Sequence, residues 1–517
     1  MNIPWLKNKY VQIGILASVL AFIFHMYAFT NLLVNHDTIN YILEGETKEF
    51  FFGCGRWMFY WVTRMTGTVT MNIIIGLVCA LAMGMSVVLL VQMFDIQSNA
   101  GIICLSFLIA TFPVAANSIC YIYNADGLFI ALLGGTFGAW LICTQKHSVK
   151  NVVITILSLI AVCGIHQSYW CYSVAVTFAF IFLVGFRKDF KETVIFTIRV
   201  VIVYAVSIVG YLLVNKFILY VTGTNAAGYA GLDNIMDFGG ISKIIDIVYL
   251  AFKQFCNFYF IEGSFIASPH FVGINIFLFV IVFLHFAIGS IKEKNVPKCI
   301  WLVFLFCMYP FIINSVSIAS KGYFHAVMMW AFVIPYIVCI SVVDRNYVKK
   351  EYKWKNIYVL ALLLLYLVGY NNLLISNKIY SRQELNYEAT YAYLNRMLMR
   401  IELDENFAYD KKVVFLNETP LINEHIDILE ESYPAVLGVY DDCDGMVGCN
   451  VQTPVKNIKD IYDFYEIYMG VSLNRPSSEE INKIASSAQF AEMDIYPAEN
   501  SIEMIDNMVV VKIQNEQ

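Results

Sequence analysis

Runs of about twenty apolar residues recur along the chain with polar loops between them, a pattern that predicts membrane-spanning helices. Eleven can be drawn, at about 11–34, 68–93, 100–117, 126–144, 149–165, 168–186, 194–219, 270–290, 298–317, 322–343 and 356–375. Beyond about Tyr380 the pattern changes. NYEATYAYLNRMLMRI has helical periodicity, and Lys412–Leu416 (KVVFL) reads as a buried strand. Ile458–Met469 and Ser478–Ser487 read as helices, and Met508–Ile513 (MVVVKI) as a closing strand. The expected organisation is a transmembrane part over residues 1–376 and a small α/β domain over residues 377–517.

Two loops between spans are long, at 34–67 and 220–269. The first reads VNHDTINYILEGETKEFFFGCGRWMFYWVTRM from Val34 to Met65. As one helix from Asp37 onward, it places Ile39, Ile42, Leu43 and Phe50 on one side and Asp37, Tyr41, Glu44 and Lys48 on another. That predicts an amphipathic helix on the bilayer surface, presenting carboxylates over a cavity. The second loop opens with a Gly- and Asn-rich stretch and turns amphipathic through KIIDIVYLAFKQFCNFYFIEG, which is read as a mobile lid, or a plain connector, and a second surface helix.

Composition narrows the class. Of 517 residues, 59% are hydrophobic and 14% charged, which excludes a soluble protein and leaves a polytopic α-helical membrane protein. The first apolar run lacks a small-residue cleavage site and is read as an uncleaved anchor. The net charge of -6 matters less than where the charges lie. Lys7 and Lys9, Lys146 and Lys150, the Arg187–Lys191 group, Lys292, Lys294 and Lys298, and the group from Arg345 to Lys355 fall on one side if the spans number eleven. The positive side is cytoplasmic, so the N-terminus is placed there, and both long loops and the C-terminal domain outside. Nucleic acid is not an expected partner.

The outer loops carry the candidate chemistry. Asp37, beside His36, is suited to take a proton from a hydroxyl as that oxygen attacks; the structural alternative is a helix N-cap at Asp37 or Thr38. Arg56, Arg64, His166 with Gln167 and Ser168, and Lys321 with His325 stand at or just beyond the outer ends of spans. Such cations suit a lipid-borne phosphate. Snorkelling anchors for Arg64 and Lys321, and a satisfied structural histidine at His166, are the plainer readings. Asp126 either caps the fourth span or lines the cavity, and Glu262 is a weaker candidate. Asp441, Asp442 and Asp444 form an acidic cluster, and Cys443 and Cys449 could pair in an oxidising compartment. No P-loop, G-x-S-x-G, H-E-x-x-H or Cys/His metal set occurs, so no metal site and no cofactor are expected.

Five features in order give the chain a resemblance to the Gtr type II glucosyltransferases, bacterial membrane enzymes that decorate surface polysaccharide. They are the His36-Asp37 pair, GRWMFYW, YNADGLFIALLGGTFGAWL, HQSYWCYSV and the tail YPAENSIEMIDNMVVVKI. His166 stands where an aromatic residue is usual before the glutamine, and Lys321 where an arginine is expected. The resemblance implies a GT-C-like architecture in the bacterial cytoplasmic membrane. It implies a polyprenyl-phosphate (undecaprenyl-phosphate) sugar donor, a surface or lipid-linked glycan such as O-antigen as acceptor, inversion at the anomeric carbon and no metal. Asp37 becomes the expected base. Arg56 and Lys321 become the expected phosphate ligands, beside His36, Asp126, His166, Gln167 and His325 as further binding candidates. A flippase for a lipid-linked glycan and a glycan polymerase or ligase are the alternatives; a flippase usually carries an inverted repeat, and none is found.

Overall fold

A computed structural model describes residues 8–34, 36–43, 48–67, 71–146, 148–227, 240–261, 269–292, 295–323, 325–348, 355–416, 455 and 457–513. Among them, seven helices are long and apolar enough to cross a membrane: Asn72–Phe94, Ile122–Thr144, Gln167–Gly185, Phe190–Thr222, Phe271–Gly289, Val296–Ile313 and Lys355–Glu402. An eighth is counted if Asn99–Thr111 and Pro113–Ile119, bent by 40° at Phe112, form one span. Pro113 supplies the break, since it lacks the N–H that would continue the ladder.

The other three predicted spans take shorter or broken forms. The first is Lys9–Phe24 followed by Met26–Thr30, with His25 between them donating its Nε2–H to the Ala110 carbonyl at 2.6 Å. The fifth is the 17-residue helix Val149–Ile165. The tenth begins as 3-10 turns, Ala326–Met328 and Trp330–Val333, before Ile334–Val348.

The chain divides into two compact units. The first comprises Met1–Asn31, Glu46–Asn377 and Val439–Cys449; the second comprises Leu32–Gly45, Lys378–Gly438 and Asn450–Gln517. Within the first, Lys9–Phe24 packs on Asn72–Phe94, which packs in turn on Ile122–Thr144. At one end the buried Asp344 carboxylate accepts the backbone N–H of Gln97 at 2.7 Å and of Ser98 at 3.2 Å. Ser98 caps the helix Asn99–Thr111 through the Gly101 N–H, so the clamp fixes where that helix starts.

The second unit contains a three-stranded sheet. Strands β1 (Val413–Leu416), β2 (Ile502–Ile505) and β3 (Met508–Lys512) lie in the order β1-β3-β2. β1 and β3 are parallel, with Val413 opposite Val509; β2 and β3 form an antiparallel hairpin. Its two turn residues, Asp506 and Asn507, both have positive φ, as a tight hairpin turn requires. Side chains alternate across the sheet. Val413, Phe415, Val509 and Val511 face one cluster with Leu394, Ile461 and Tyr465. Val414, Leu416 and Val510 face another with Ile484, Phe490 and Met493. Both faces are therefore covered, which is why these strands read as continuous apolar runs.

In the segment after the first predicted span, burial departs from the expected amphipathic pattern. His36–Leu43 and Lys48–Gly53 are both helical, and residues 44–47 between them lie outside the described residues. Tyr41, expected on the polar side, is 5% exposed, and Ile39 is 0% exposed within the second unit's core. Ile39 is thus covered by protein. Glu44, Glu262, the acidic cluster Asp441–Asp444, Cys443 and Cys449 lie outside the described residues. The amphipathic stretch of the second loop forms the helix Ile241–Phe260, which buries Ala251, Phe255, Phe258 and Tyr259.

Candidate functional site

In the first unit the site is built around a tight turn. Helix Lys48–Gly53 ends in Cys54-Gly55, and Arg56 then stands at the N-cap of helix Trp57–Thr63. Gly55 has φ +71, and a Cβ there would lie 2.3 Å from the Tyr211 hydroxyl, so only glycine fits. The aromatic residues around the turn serve as its footing. Phe51 meets Phe59 edge-on at 5.2 Å and Phe52 meets Tyr60 at 5.6 Å. Phe59 in turn seats on Gly127 of the span Ile122–Thr144, where a Cβ would lie 2.2 Å from its ring.

Two residues from distant spans tie down the turn itself. The Gln167 amide donates to the Cys54 carbonyl and to the Tyr211 hydroxyl, both at 2.9 Å. The Tyr211 hydroxyl donates to the Gly55 carbonyl at 3.1 Å. Both carbonyls immediately before Arg56 are therefore held from outside the loop. His166 lies next to Gln167, between the helices Val149–Ile165 and Gln167–Gly185. Its Nδ1 is 2.8 Å from the Ser168 hydroxyl, and its ring meets Tyr169 edge-on at 5.8 Å. Burial drives this imidazole well toward its neutral form, and the charges of Arg56 and His325 push the same way. His166 thus lies within electrostatic reach of both Arg56 and His325, which come from two other parts of the chain. His325 sits 6.2 Å from Tyr121, ring to ring.

The remaining candidates occupy distinct positions. Lys321, in the turn after helix Ser315–Ala319, has a left-handed backbone (φ 56) and is half-buried. Asp126 lies inside helix Ile122–Thr144 rather than at its cap, which is Tyr121. It is fully buried and accepts the Thr66 hydroxyl at 2.5 Å. Arg64 stacks over the Tyr60 ring at 3.6 Å and donates to the Tyr60 carbonyl, as an anchoring residue does.

In the second unit, His36 opens the helix His36–Leu43 and Asp37 stands in its first turn, where a carboxylate is favoured by the helix dipole. Asp37 is half-buried, at the margin of the face formed by Thr38, Ile39 and Tyr41. Among the described residues no group of three or more His, Cys, Asp and Glu side chains is placed to hold a metal ion.

Sequence reasoning missed Tyr211 and Thr66. Tyr211 sits in a long apolar run with nothing local to mark it, and Thr66 is one threonine among several in TRMTGTVT. Only the three-dimensional path of the loop identifies them.

A family model described as Glucosyl transferase GtrII matches residues 26–336. The match covers more than half of the chain and includes the candidates from His36 to His325. No curated protein and no solved structure matches the chain.

Proposed function

Because the chain belongs to the GtrII glucosyl transferase family, and is a multi-pass membrane protein, we propose that it moves glucose from a polyprenyl-phosphate donor to a hydroxyl of a surface or lipid-linked glycan. The reaction takes place on the outer face of the bacterial cytoplasmic membrane. In this reading the chain crosses the bilayer eleven times with its basic loops inside, and the C-terminal unit lies outside.

Asp37 is the general base. Its carboxylate takes the proton of the acceptor hydroxyl while that oxygen bonds to the anomeric carbon. The bond from that carbon to the phosphate oxygen breaks on the opposite side, which inverts the centre and releases polyprenyl phosphate. Arg56 and Lys321 bear the phosphate's charge as it leaves, with His325 beside them, and the chemistry calls for no metal. Gln167 acts through the turn that carries Arg56.

The observation that carries the reading is that His166, buried between two helices, lies within electrostatic reach of both Arg56 and His325. Ionisable groups placed next to membrane spans mark functional sites, and the Arg56 guanidinium suits an anionic head group. The test is transfer by purified protein in lipid, supplied with radiolabelled polyprenyl-phosphate glucose or nucleotide-activated glucose, and glycan acceptors. Label reaching glycan from the lipid donor alone supports the reading. Transfer only from an oligosaccharide carrier assigns a polymerase or ligase. Passage of a lipid-linked glycan across the bilayer without transfer assigns a flippase.

A further inference from the structure

We infer that the C-terminal unit is a cradle for the helix His36–Leu43, and that Ile39 is the positioning residue that seats Asp37. The inference rests on the reading of Asp37 as the base and gives the C-terminal unit a part in the reaction.

A surface helix owes most of its order to the protein face it packs against rather than to its own propensity. Ile39 is 0% exposed and belongs to the same cluster as Leu394, Ile461 and Tyr465. Its helix lies against Ile458–Phe464 and the π-helical turn Tyr465–Met469. Thr38 and Tyr41, at 3% and 5% exposed, complete the buried face. Asp37 follows at its margin, two residues before Ile39, so the carboxylate's place depends on how Ile39 sits.

The surface that receives Ile39 is itself rigidly tied. The Tyr462 hydroxyl donates to the Val413 carbonyl of β1 at 2.7 Å, and the Tyr465 hydroxyl to the Leu394 carbonyl at 2.9 Å. A capping box between Asn457 and Asp460 fixes where the supporting helix begins. The Asp463 carboxylate, 3% exposed, binds Arg475 and is 3.5 Å from Lys459. Each side of the socket is therefore anchored to the sheet or to the long helix Lys355–Glu402. A flexible outer loop that must present a base to a reacting hydroxyl gains a fixed position from such a socket.

The test is Ile39→Ala in the full-length protein, read by amide hydrogen exchange and by steady-state transfer from polyprenyl-phosphate glucose. Exchange across residues 36–43 is expected to rise about tenfold or more, while β1 and β3 stay protected. kcat is expected to fall about tenfold or more with donor KM within about twofold, and Ile39→Val is expected to recover most of it. If Ile39→Ala also exposes β1, Ile39→Val carries the same two readouts at reduced amplitude, with exchange over 36–43 still raised and kcat still lowered relative to the wild type. Unchanged exchange over 36–43, or unchanged kcat, overturns the inference. Asp37→Asn is measured alongside: full transfer by that variant refutes the base assignment, whereas the exchange result reports on the socket independently.

Discussion

Gln167 donates its side-chain amide to the Cys54 carbonyl at 2.9 Å, across 113 positions of the chain. The bond makes Gln167 a support for the turn that carries Arg56. Gln167→Ala removes one neutral hydrogen bond to that carbonyl and one to Tyr211, a loss of about 1 kcal/mol each. Donor KM is expected to rise about tenfold. Arg56→Ala is expected to do the same or more, and the double variant to be little worse than Arg56→Ala. Additive effects in a steady-state double-mutant cycle would show that Gln167 acts independently of Arg56.

Removing the proposed base gives a different signature. Asp37→Asn keeps the size and most hydrogen bonding of the side chain but cannot accept the acceptor's proton. Its kcat is expected to fall about 10²- to 10⁴-fold with normal membrane expression. A transfer assay on membranes containing matched amounts of protein checks this. Wild-type turnover would remove Asp37 from the mechanism.

Thr66 and Asp126 separate structure from catalysis. The buried Asp126 carboxylate accepts the Thr66 hydroxyl at 2.5 Å, together with its neighbour Gly127 N–H. Thr66→Val leaves that carboxylate short of a donor at a cost of about 1–3 kcal/mol. A lower unfolding temperature in detergent with kcat retained is the expected result. A fall in kcat at unchanged unfolding temperature would instead place Asp126 among the groups that touch substrate.

A pH effect is expected in the C-terminal unit. The Lys412 ammonium, donating to Glu480 at 2.7 Å, and the Ser477 backbone N–H hold the Glu480 carboxyl down to about 2. A carboxyl depressed in the folded state contributes stability above its unfolded value of 4.5, and that contribution is lost as pH falls toward about 2. Glu480→Gln is therefore expected to lower amide protection of β1 at neutral pH. The gap from wild type should be constant above about pH 5 and should close on acidification. A gap that widens in acid would show the sign to be wrong.

Much of the architecture was legible because membranes and sheets write simple periodicities. Apolar runs marked the spans, and KVVFL and MVVVKI marked strands covered on both faces. The pattern failed where an apolar position has more than one apolar environment available. Ile39 looked equally suited to a bilayer surface and to a protein core, and its partners Ile461 and Tyr465 lie more than four hundred positions away. Lys512 gives the reverse case. It is charged yet 7% exposed, because its ammonium reaches the carbonyls of Phe490 at 3.2 Å and Met493 at 2.7 Å. The arginine and histidines of the site were legible as costly residues near spans, whereas Tyr211, an ordinary aromatic in a greasy helix, was not.

The shared core of Ile39, Leu394 and Tyr465 has a consequence for how this chain can be cut and rejoined. A chimera that takes residues 1–376 from one relative and the remainder from another breaks a single packing unit, although the junction falls outside both of its halves. Swaps of specificity between relatives should therefore carry residues 32–45 and the tail from the same parent. Deleting the tail would strip the short helix of the surface on which it forms.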